Sequence, residues 1–108
     1  MTRRISSVRG KAIEDRQLGD LSGIGRAMLE DFKALKIASV AQLAETDPVV
    51  LYRRLAKLKK VPRMDPCVLD TFRCAVAQAR DPALAAEQRQ WWYWSKLRKQ
   101  GSLPSGEP

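Results

Sequence analysis

One stretch, Leu18 to Ile37, constrains the fold of this chain more than any other. Its sequence is LGDLSGIGRAMLEDFKALKI, in which Gly23 and Gly25 bracket a single aliphatic residue, Ile24. The spacing of the apolar residues changes register at the glycines, as it does where two short helices are joined by a tight turn. Glycine suits such a turn because it adopts positive φ and allows close backbone approach. We expect Ile24 to point inward between the two helices.

The predicted turn also has the chemistry of an anion site. The amides of Gly23, Gly25 and Arg26 fall at the start of the second helix, where N–H groups lack intrahelical acceptors and the helix dipole is positive. Such an end binds a phosphate oxygen without contacting bases, and the Arg26 guanidinium adds a charged donor. The alternative is a purely structural helical corner.

The spacing resembles the helix-hairpin-helix motif of proteins that hold DNA backbones without reading sequence. Two residues depart from the usual pattern of that motif. Ser22 stands where many hairpins have proline, and Leu29 stands where many have alanine. Neither departure removes the mechanism, because serine can bond to nearby backbone in a turn and leucine only needs more room between the helices.

The overall charge supports a polyanionic partner. The 108 residues include 20 Lys and Arg against 12 Asp and Glu, a formal net charge of +8. Nucleic acid is the commonest polyanion in a cell. A hydrophobic fraction of 44% argues against a disordered basic tail, and the length fits one small domain with a modest core. The sequence therefore predicts a folded basic domain.

Several classes of protein are not expected. The N-terminal region has positive charge but no apolar segment typical of a signal peptide, and no run reaches the length of a membrane span. Cys67 and Cys74 lie on one predicted helix, roughly 10 Å apart along its axis, too far for a disulfide. We therefore expect a reduced, cytoplasmic setting. Without histidine, two thiols give no closed zinc site, so no metal or cofactor is expected.

Helix start and stop signals predict an all-α bundle of about five short helices. We expect residues 1–10 to form a flexible basic arm, residues 11–97 the domain, and residues 98–108 a disordered tail. Ser39 and three Asp-Pro pairs act as helix starts. The predicted segments are 11–18, the hairpin helix, a brief helix from Ser39 to Ala44, 48–59, 66–79 and 83–89, the last opened by Asp81-Pro82.

The helix predicted over 48–59 is amphipathic. Leu51, Leu55 and Leu58 form an apolar stripe, and no acidic residue lies between Pro48 and Lys60 to neutralise the cations of the other side. The alternative is an ordinary solvated face. Together with the hairpin residues Gly23, Ile24, Gly25 and Arg26, the predicted nucleic-acid-binding residues are Arg53, Arg54, Lys57 and Lys60.

All three tryptophans fall in one tetrapeptide, Trp91-Trp92-Tyr93-Trp94. Four successive rings cannot share one helical face, so at least one must be partly exposed. In one interpretation Trp91 and Trp94 close over the helical body. In the other, an exposed ring stacks on an unpaired base while flanking cations hold its backbone.

These pieces together resemble a family of small bacterial proteins labelled pathogenicity-locus or mitomycin-resistance proteins. The resemblance rests on residues 21–37, residues 39–55 (SVAQLAETDPVVLYRRL), residues 65–79 (DPCVLDTFRCAVAQA) and the WWYW tetrapeptide. It implies an all-helical, SAM-like domain containing a helix-hairpin-helix, with a DNA-binding role in tolerance of DNA-crosslinking damage. It supplies no catalytic residue.

The leading functional hypothesis is a non-catalytic, sequence-independent DNA-binding module. The alternative is a protein-interaction module that uses the SAM-like surface and the tryptophans. An enzyme is not expected: glycosylases with this hairpin carry a later aspartate, and Asp47 lies in a similar place, but their base pocket needs a second helical domain. The sequence does not distinguish the form of nucleic acid or the oligomeric state.

Overall fold

The structure, a computed structural model, describes residues 15–102. Within this range the chain is all-α, as predicted, and contains no strand. Two short 3-10 helices, Leu18–Asp20 and Ala86–Arg89, accompany the five α-helices, which are α1 (Arg26–Ala34), α2 (Val40–Ala44), α3 (Pro48–Lys59), α4 (Pro66–Arg80) and α5 (Trp91–Lys99). None of the described helices combines the length and the apolar character needed to cross a membrane.

Side-chain caps begin the three middle helices where the sequence predicted. Ser39 Oγ accepts a hydrogen bond from the Gln42 amide at 3.1 Å at the start of α2. Asp47 and Asp65 each accept from the amide two residues later, at 2.9 Å, at the starts of α3 and α4. The bond from the Cys67 amide lowers the pKa of Asp65. Proline at the first position of α3 and of α4 costs no hydrogen bond, so these starts are fixed locally.

The third Asp-Pro pair does not begin the α-helix predicted over 83–89. Asp81 still accepts from the Ala83 amide at 2.9 Å, but only a 3-10 helix follows, from Ala86 to Arg89. Asp81, Ala85 and Gln90 all have non-helical backbone angles. A helix running from 83 into α5 would carry α5 away from α4, and the extended residues let the chain reverse instead.

The prediction of a helix over 11–18 is also wrong, because residues 15–17, which the structure describes, are not helical. Gln17 has extended backbone (φ −92°, ψ 159°) because it caps the 3-10 helix Leu18–Asp20. Its amide donates to Asp20 Oδ2 at 2.7 Å. Residues 11–14 and the predicted arm over 1–10 lie outside the described range.

Helix α4 is the centre of the fold and packs against α2, α3 and α5. The rings of Phe32 on α1 and Phe72 on α4 meet with their centroids 5.8 Å apart. The side chains that are almost entirely buried come from four helices and the segments between them; the largest are Phe32, Phe72, Leu35, Leu43, Leu51, Leu55 and Leu69.

The buried side of α3 differs from the predicted leucine stripe. Leu51, Tyr52 and Leu55 are buried, whereas Leu58 is 53% exposed. The next residue on the line of Leu51 and Leu55 is Lys59, which is exposed and whose ammonium reaches Asp31 of α1 at 3.3 Å. Leu58 is one residue earlier and therefore points about 100° away from this line. The Tyr52 hydroxyl donates to the Met64 carbonyl, which ties α3 to the loop that follows it.

Helix α5 runs two residues past the predicted end of the domain at residue 97. Arg98 and Lys99, assigned to the tail, belong to α5. Arg98 is held in the helix by two hydrogen bonds to the buried carboxylate of Asp70, both 2.9 Å. The helix ends with Gly101 at φ 81° and the Ser102 amide bonded to the Leu97 carbonyl at 2.9 Å. Residues 103–108 of the predicted tail lie outside the described range.

Candidate nucleic-acid interface

A tight turn joins the first 3-10 helix to α1. The Ile24 amide donates to the Leu21 carbonyl at 3.3 Å, and Gly23 between them has φ 82°. These features define a type II turn, whose third residue needs positive φ and is usually glycine. Ile24 is buried with Leu21 in the core, which confirms that it points inward. Its side chain is buried and its amide is used by the turn, so as a predicted binding residue Ile24 would act by shaping the turn.

Gln78 of α4 holds this turn in place. Its Oε1 accepts from the Ser22 amide at 2.8 Å, and its Nε2 donates to the Ser22 carbonyl at 3.0 Å. A proline at position 22 would lack the amide hydrogen needed for the first bond. Gln78 was not among the predicted site residues. It is a polar residue beside the apolar arc of α4, a position that normally faces solvent, but its side chain is buried.

Arg16 fixes the chain that enters the turn. Its guanidinium donates to the carbonyls of Gln78 and Ala79, at 2.9 and 3.2 Å. These carbonyls belong to the last turn of α4, where backbone acceptors lack helical partners. Arg16 therefore stabilises the end of α4 and sets the turn against it.

The start of α1 leaves backbone donors open. Among residues 15–102, no protein acceptor lies within hydrogen-bond distance of the amides of Gly23, Gly25 and Arg26. Gly25 is the N-cap of α1 and offers no capping side chain, unlike the caps of α2, α3 and α4. All three residues are exposed. The first turn of α1 thus presents unpaired N–H groups and the positive end of its dipole to solvent.

The two glycines of the turn differ in what the fold requires of them. Gly23 needs to be glycine because of its positive φ. Gly25 has φ −101° and ψ −167°, an extended conformation that any residue adopts. A Cβ built at Gly25 would meet no atom of the described residues within 4 Å. The packing of residues 15–102 therefore does not call for glycine at position 25.

The predicted cations on α3 are not equally available. Arg54 donates to the Leu35 carbonyl at 3.1 Å and so supports the end of α1. Arg53 also has an interaction within the protein. In the described part of the chain, no hydrogen bond or ion pair holds the exposed side chains of Arg26, Lys57 or Lys60. The Arg54 side chain thus supports the fold, whereas the side chains of Arg26, Lys57 and Lys60 are available to bind an anion.

Lys60 has an unfavourable backbone conformation for a lysine. It lies in the left-handed region (φ 56°, ψ 40°) just after α3, where glycine is usual. The Val61 amide donates to the Ala56 carbonyl at 3.1 Å across it, which is the pattern of a Schellman motif. Lys36 after α1 is similar, with φ 66°. Both lysines place positive charge at helix C-termini, where the dipole favours it.

The salt bridge between Lys59 and Asp31 relates the cations of α3 to the turn. Asp31 follows Arg26 by five residues, roughly 7.5 Å along α1. The ammonium of Lys59 is 3.3 Å from Asp31. Lys59 therefore joins the C-terminal end of α3 to α1, roughly 7.5 Å along the axis of α1 from Arg26.

A line of hydrogen bonds connects the turn to the tryptophan segment. Gln78, which holds Ser22, also donates to Cys74 Sγ at 3.5 Å. The Cys74 thiol donates to the Gln88 carbonyl at 3.7 Å, and the Trp94 indole N–H donates to the same carbonyl at 2.9 Å. Burial raises the pKa of Cys74 to about 11, so the thiol keeps the proton that it donates. The turn and α5 therefore share one buried support on α4.

The three tryptophans have different environments. Trp94 is half-buried. Its ring packs edge-on against the ring of Tyr93, with the ring centroids 5.3 Å apart. Trp91 and Trp92 are 44% and 42% exposed. Trp91, which one interpretation placed over the helical body together with Trp94, is therefore more exposed than Trp94.

The described residues offer no group of three or more His, Cys, Asp or Glu placed to hold a metal ion. Cys67 and Cys74 are both free thiols on α4.

The comparison with known proteins decides the family. The sequence model of the family described as Cdd1, pathogenicity locus, matches residues 12–100. This chain belongs to the pathogenicity locus family. Within the range matched by the pathogenicity locus model lie the turn, α1 to α4 and all of α5. The chain is also similar to the mitomycin resistance protein McrB of Streptomyces lavendulae, with 40% identity over 91 residues, covering 83% of this chain and 79% of the relative. No solved structure matches the chain.

Proposed function

We propose that this protein is a non-catalytic, sequence-independent DNA-binding module of the helix-hairpin-helix type. The observation that carries the proposal is Gly25, a glycine that the packing of residues 15–102 does not require, beside amides that have no acceptor among those residues and beside the exposed Arg26. A glycine of this kind is explained if another backbone or a phosphate approaches closely. Helix N-termini bind phosphate through such amides and their dipole.

In this proposal the turn holds one phosphate and exposed cations hold others. Arg26, Lys57 and Lys60 supply three charges that pair with no residue of the range 15–102. Contacts of this kind position a protein on DNA but carry no sequence information. With about four phosphates neutralised, a plot of the logarithm of the DNA association constant against the logarithm of the salt concentration should have a slope of about −3 to −4.

The family relation extends the proposal to a cellular role. The relative is named as a mitomycin resistance protein, and the family resemblance implies tolerance of DNA-crosslinking damage. We therefore place the proposed DNA binding in that role.

The experiment that tests the turn is Gly25→Ser. Serine is at least as good an N-cap as glycine, so the free energy of unfolding should be unchanged or slightly raised. The new hydroxyl, however, occupies a first-turn amide and fills the approach to the others. We expect the affinity for duplex DNA, measured by fluorescence anisotropy at low salt, to fall by about tenfold, the value of one hydrogen bond to a charged group.

A matched pair of variants on α1 tests the charge. Arg26→Ala should lower the affinity and reduce the salt slope by about 0.9, whereas Lys33→Ala, the same loss of charge at the other end of α1, should leave both nearly unchanged. The proposal is wrong if the protein binds no DNA at low salt, or if Gly25→Ser folds and binds like the parent.

The alternative, a protein-interaction module, has one observation in its favour: two neighbouring tryptophans, Trp91 and Trp92, are exposed. Exposed aromatic residues are common at the centres of protein interfaces. This alternative predicts an association between protein chains that Trp92→Ala abolishes, with no binding to DNA.

A further inference from the structure

One face of α5 combines an exposed ring with two free cations. Trp92, Lys96 and Lys99 are spaced i, i+4 and i+7, so they form one stripe along the helix. All three are exposed. Within residues 15–102 neither lysine has an ion-pair partner. We call these three residues the α5 stripe.

The other side of α5 is fixed to the fold. Ser95 is buried, and Arg98 is bound to Asp70 of α4 through two hydrogen bonds. Trp91 lies on the same line as these two residues, i−4 to Ser95. The α5 stripe is turned about 100° from this line and faces solvent.

The contacts with α4 also determine which end of α5 lies near the turn. Arg98, near the end of α5, meets Asp70, whereas Gln88, just before α5, meets Cys74. The two helices are therefore antiparallel, and the N-terminal end of α5 lies beside the C-terminal half of α4. Gln78, which holds the turn at Ser22, lies one helical turn beyond Cys74. Trp92 and the turn are thus supported at the same end of α4.

The positive charges around the α5 stripe indicate an anionic partner. Helix α5 contains three cations and no acidic residue, and the exposed Arg89 precedes it. Arg98 is used by Asp70, but the remaining cations are not neutralised by the described residues. An exposed ring flanked by cations is the arrangement with which proteins bind single-stranded nucleic acid: bases stack on the ring and the cations follow the backbone.

We propose that the α5 stripe binds a single-stranded segment of DNA, so that the protein recognises DNA in which duplex and unpaired strand adjoin. A base stacks on Trp92, and Lys96 and Lys99 hold phosphates roughly 6 and 10.5 Å further along α5. The proposal rests on the proposed function in one respect: the turn holds the backbone of the adjoining duplex. It names the substrate class for that function.

The test compares two forms of DNA and three tryptophan variants of the full chain. The probes are a fluorescein-labelled oligo-dT of about 16 nucleotides, the upper site size of one single-strand-binding fold, and a duplex of the same length. Trp92→Ala should weaken single-strand binding about tenfold, within the range for loss of one stacked base, and leave duplex binding nearly unchanged. Trp92→Phe should retain most of the affinity because it retains a ring.

Trp91→Ala is the matched control, because Trp91 is equally exposed but lies on the line that faces α4. It should cost clearly less single-strand affinity than Trp92→Ala. Fluorescence gives an independent readout. Unlabelled oligo-dT should quench the tryptophan emission of the parent, and Trp92→Phe should lose most of this quenching while still binding. Circular dichroism should show that each variant retains its helices.

Other outcomes would overturn the inference. One is that Trp91→Ala and Trp92→Ala lose the same single-strand affinity. Another is that Trp92→Ala loses as much affinity for duplex as for single strand. The third is that Trp92→Ala folds and keeps the single-strand affinity of the parent. Self-association lost in Trp92→Ala, with single-strand affinity unchanged, would assign the stripe to a protein partner. If Gly25→Ser spares duplex binding while Trp92→Ala weakens single-strand binding, the hairpin proposal fails alone. If the reverse is found, the inference about α5 fails alone.

Discussion

Replacing Arg98 by methionine should destabilise the protein strongly. Asp70 is completely buried, and Arg98 satisfies both of its carboxylate oxygens at 2.9 Å with a side chain that is only 14% exposed. Methionine keeps much of the length of arginine but leaves the carboxylate without these two charged donors. Removing one partner of a buried pair costs about 3–5 kcal/mol.

The lower end of that range is the better expectation. Arg73 of α4 is buried and interacts electrostatically with Asp70, so Asp70 does not lose all neighbouring positive charge. We therefore expect a loss of about 3 kcal/mol. For a domain of this size, whose stability is of order 5–15 kcal/mol, that loss lowers the melting temperature by about 12 °C or more.

Urea unfolding followed by circular dichroism measures the change directly. The double variant Asp70→Leu with Arg98→Met serves as the control, because replacing both partners of a buried pair by apolar residues is often neutral or stabilising. It should be more stable than Arg98→Met alone. A loss below about 1 kcal/mol in Arg98→Met, the value of a surface pair, would refute the reasoning.

Three further predictions concern α4 and the ends of the helices. Gln78→Ala should cost about 2 kcal/mol in urea unfolding, because it leaves the Ser22 amide unpaired, and it should also weaken duplex binding in the anisotropy assay. Lys60→Gly should raise the free energy of unfolding by up to about 1 kcal/mol through relief of left-handed strain, while lowering DNA affinity; a stabilised variant with unchanged affinity would exclude Lys60 from the interface. Because the pKa of Cys74 is raised from 9.0 to about 11, the folded state keeps its proton where the unfolded state loses it, so stability should fall between pH 9 and 11; Cys74→Ala should show a shallower fall over that range.

The fold was predictable where a local signal decides the backbone. Ser39, Asp47-Pro48 and Asp65-Pro66 predicted the starts of α2, α3 and α4 because a cap acts within three residues of itself. The same local signal at Asp81-Pro82 predicted an α-helix that does not form. At this point the chain has to reverse so that α5 can pack along α4, and this outweighs the local preference for an α-helix. The packing of α5 on α4 cannot be read from the sequence of residues 83–89 alone.

The support of the candidate site was not predictable for a related reason. Gln78 and Ser22 are 56 residues apart in the chain, and Arg98 and Asp70 are 28 apart. A polar residue on a helix is normally read as solvent-facing, and only the fold shows that these polar groups are buried with a partner. The open amides of the turn were predictable because glycine spacing and the start of a helix are both local features.

The hydrogen bonds from Ser22 through Gln78, Cys74 and Gln88 to Trp94 have a mechanical consequence. Neither the turn nor α5 can move relative to α4 without straining the hydrogen bonds that position the other. A DNA strand and an unpaired base held at the two places would meet a spacing set in advance by the protein. If the proposed function holds, the protein would thereby set the separation between the bound duplex and the unpaired base.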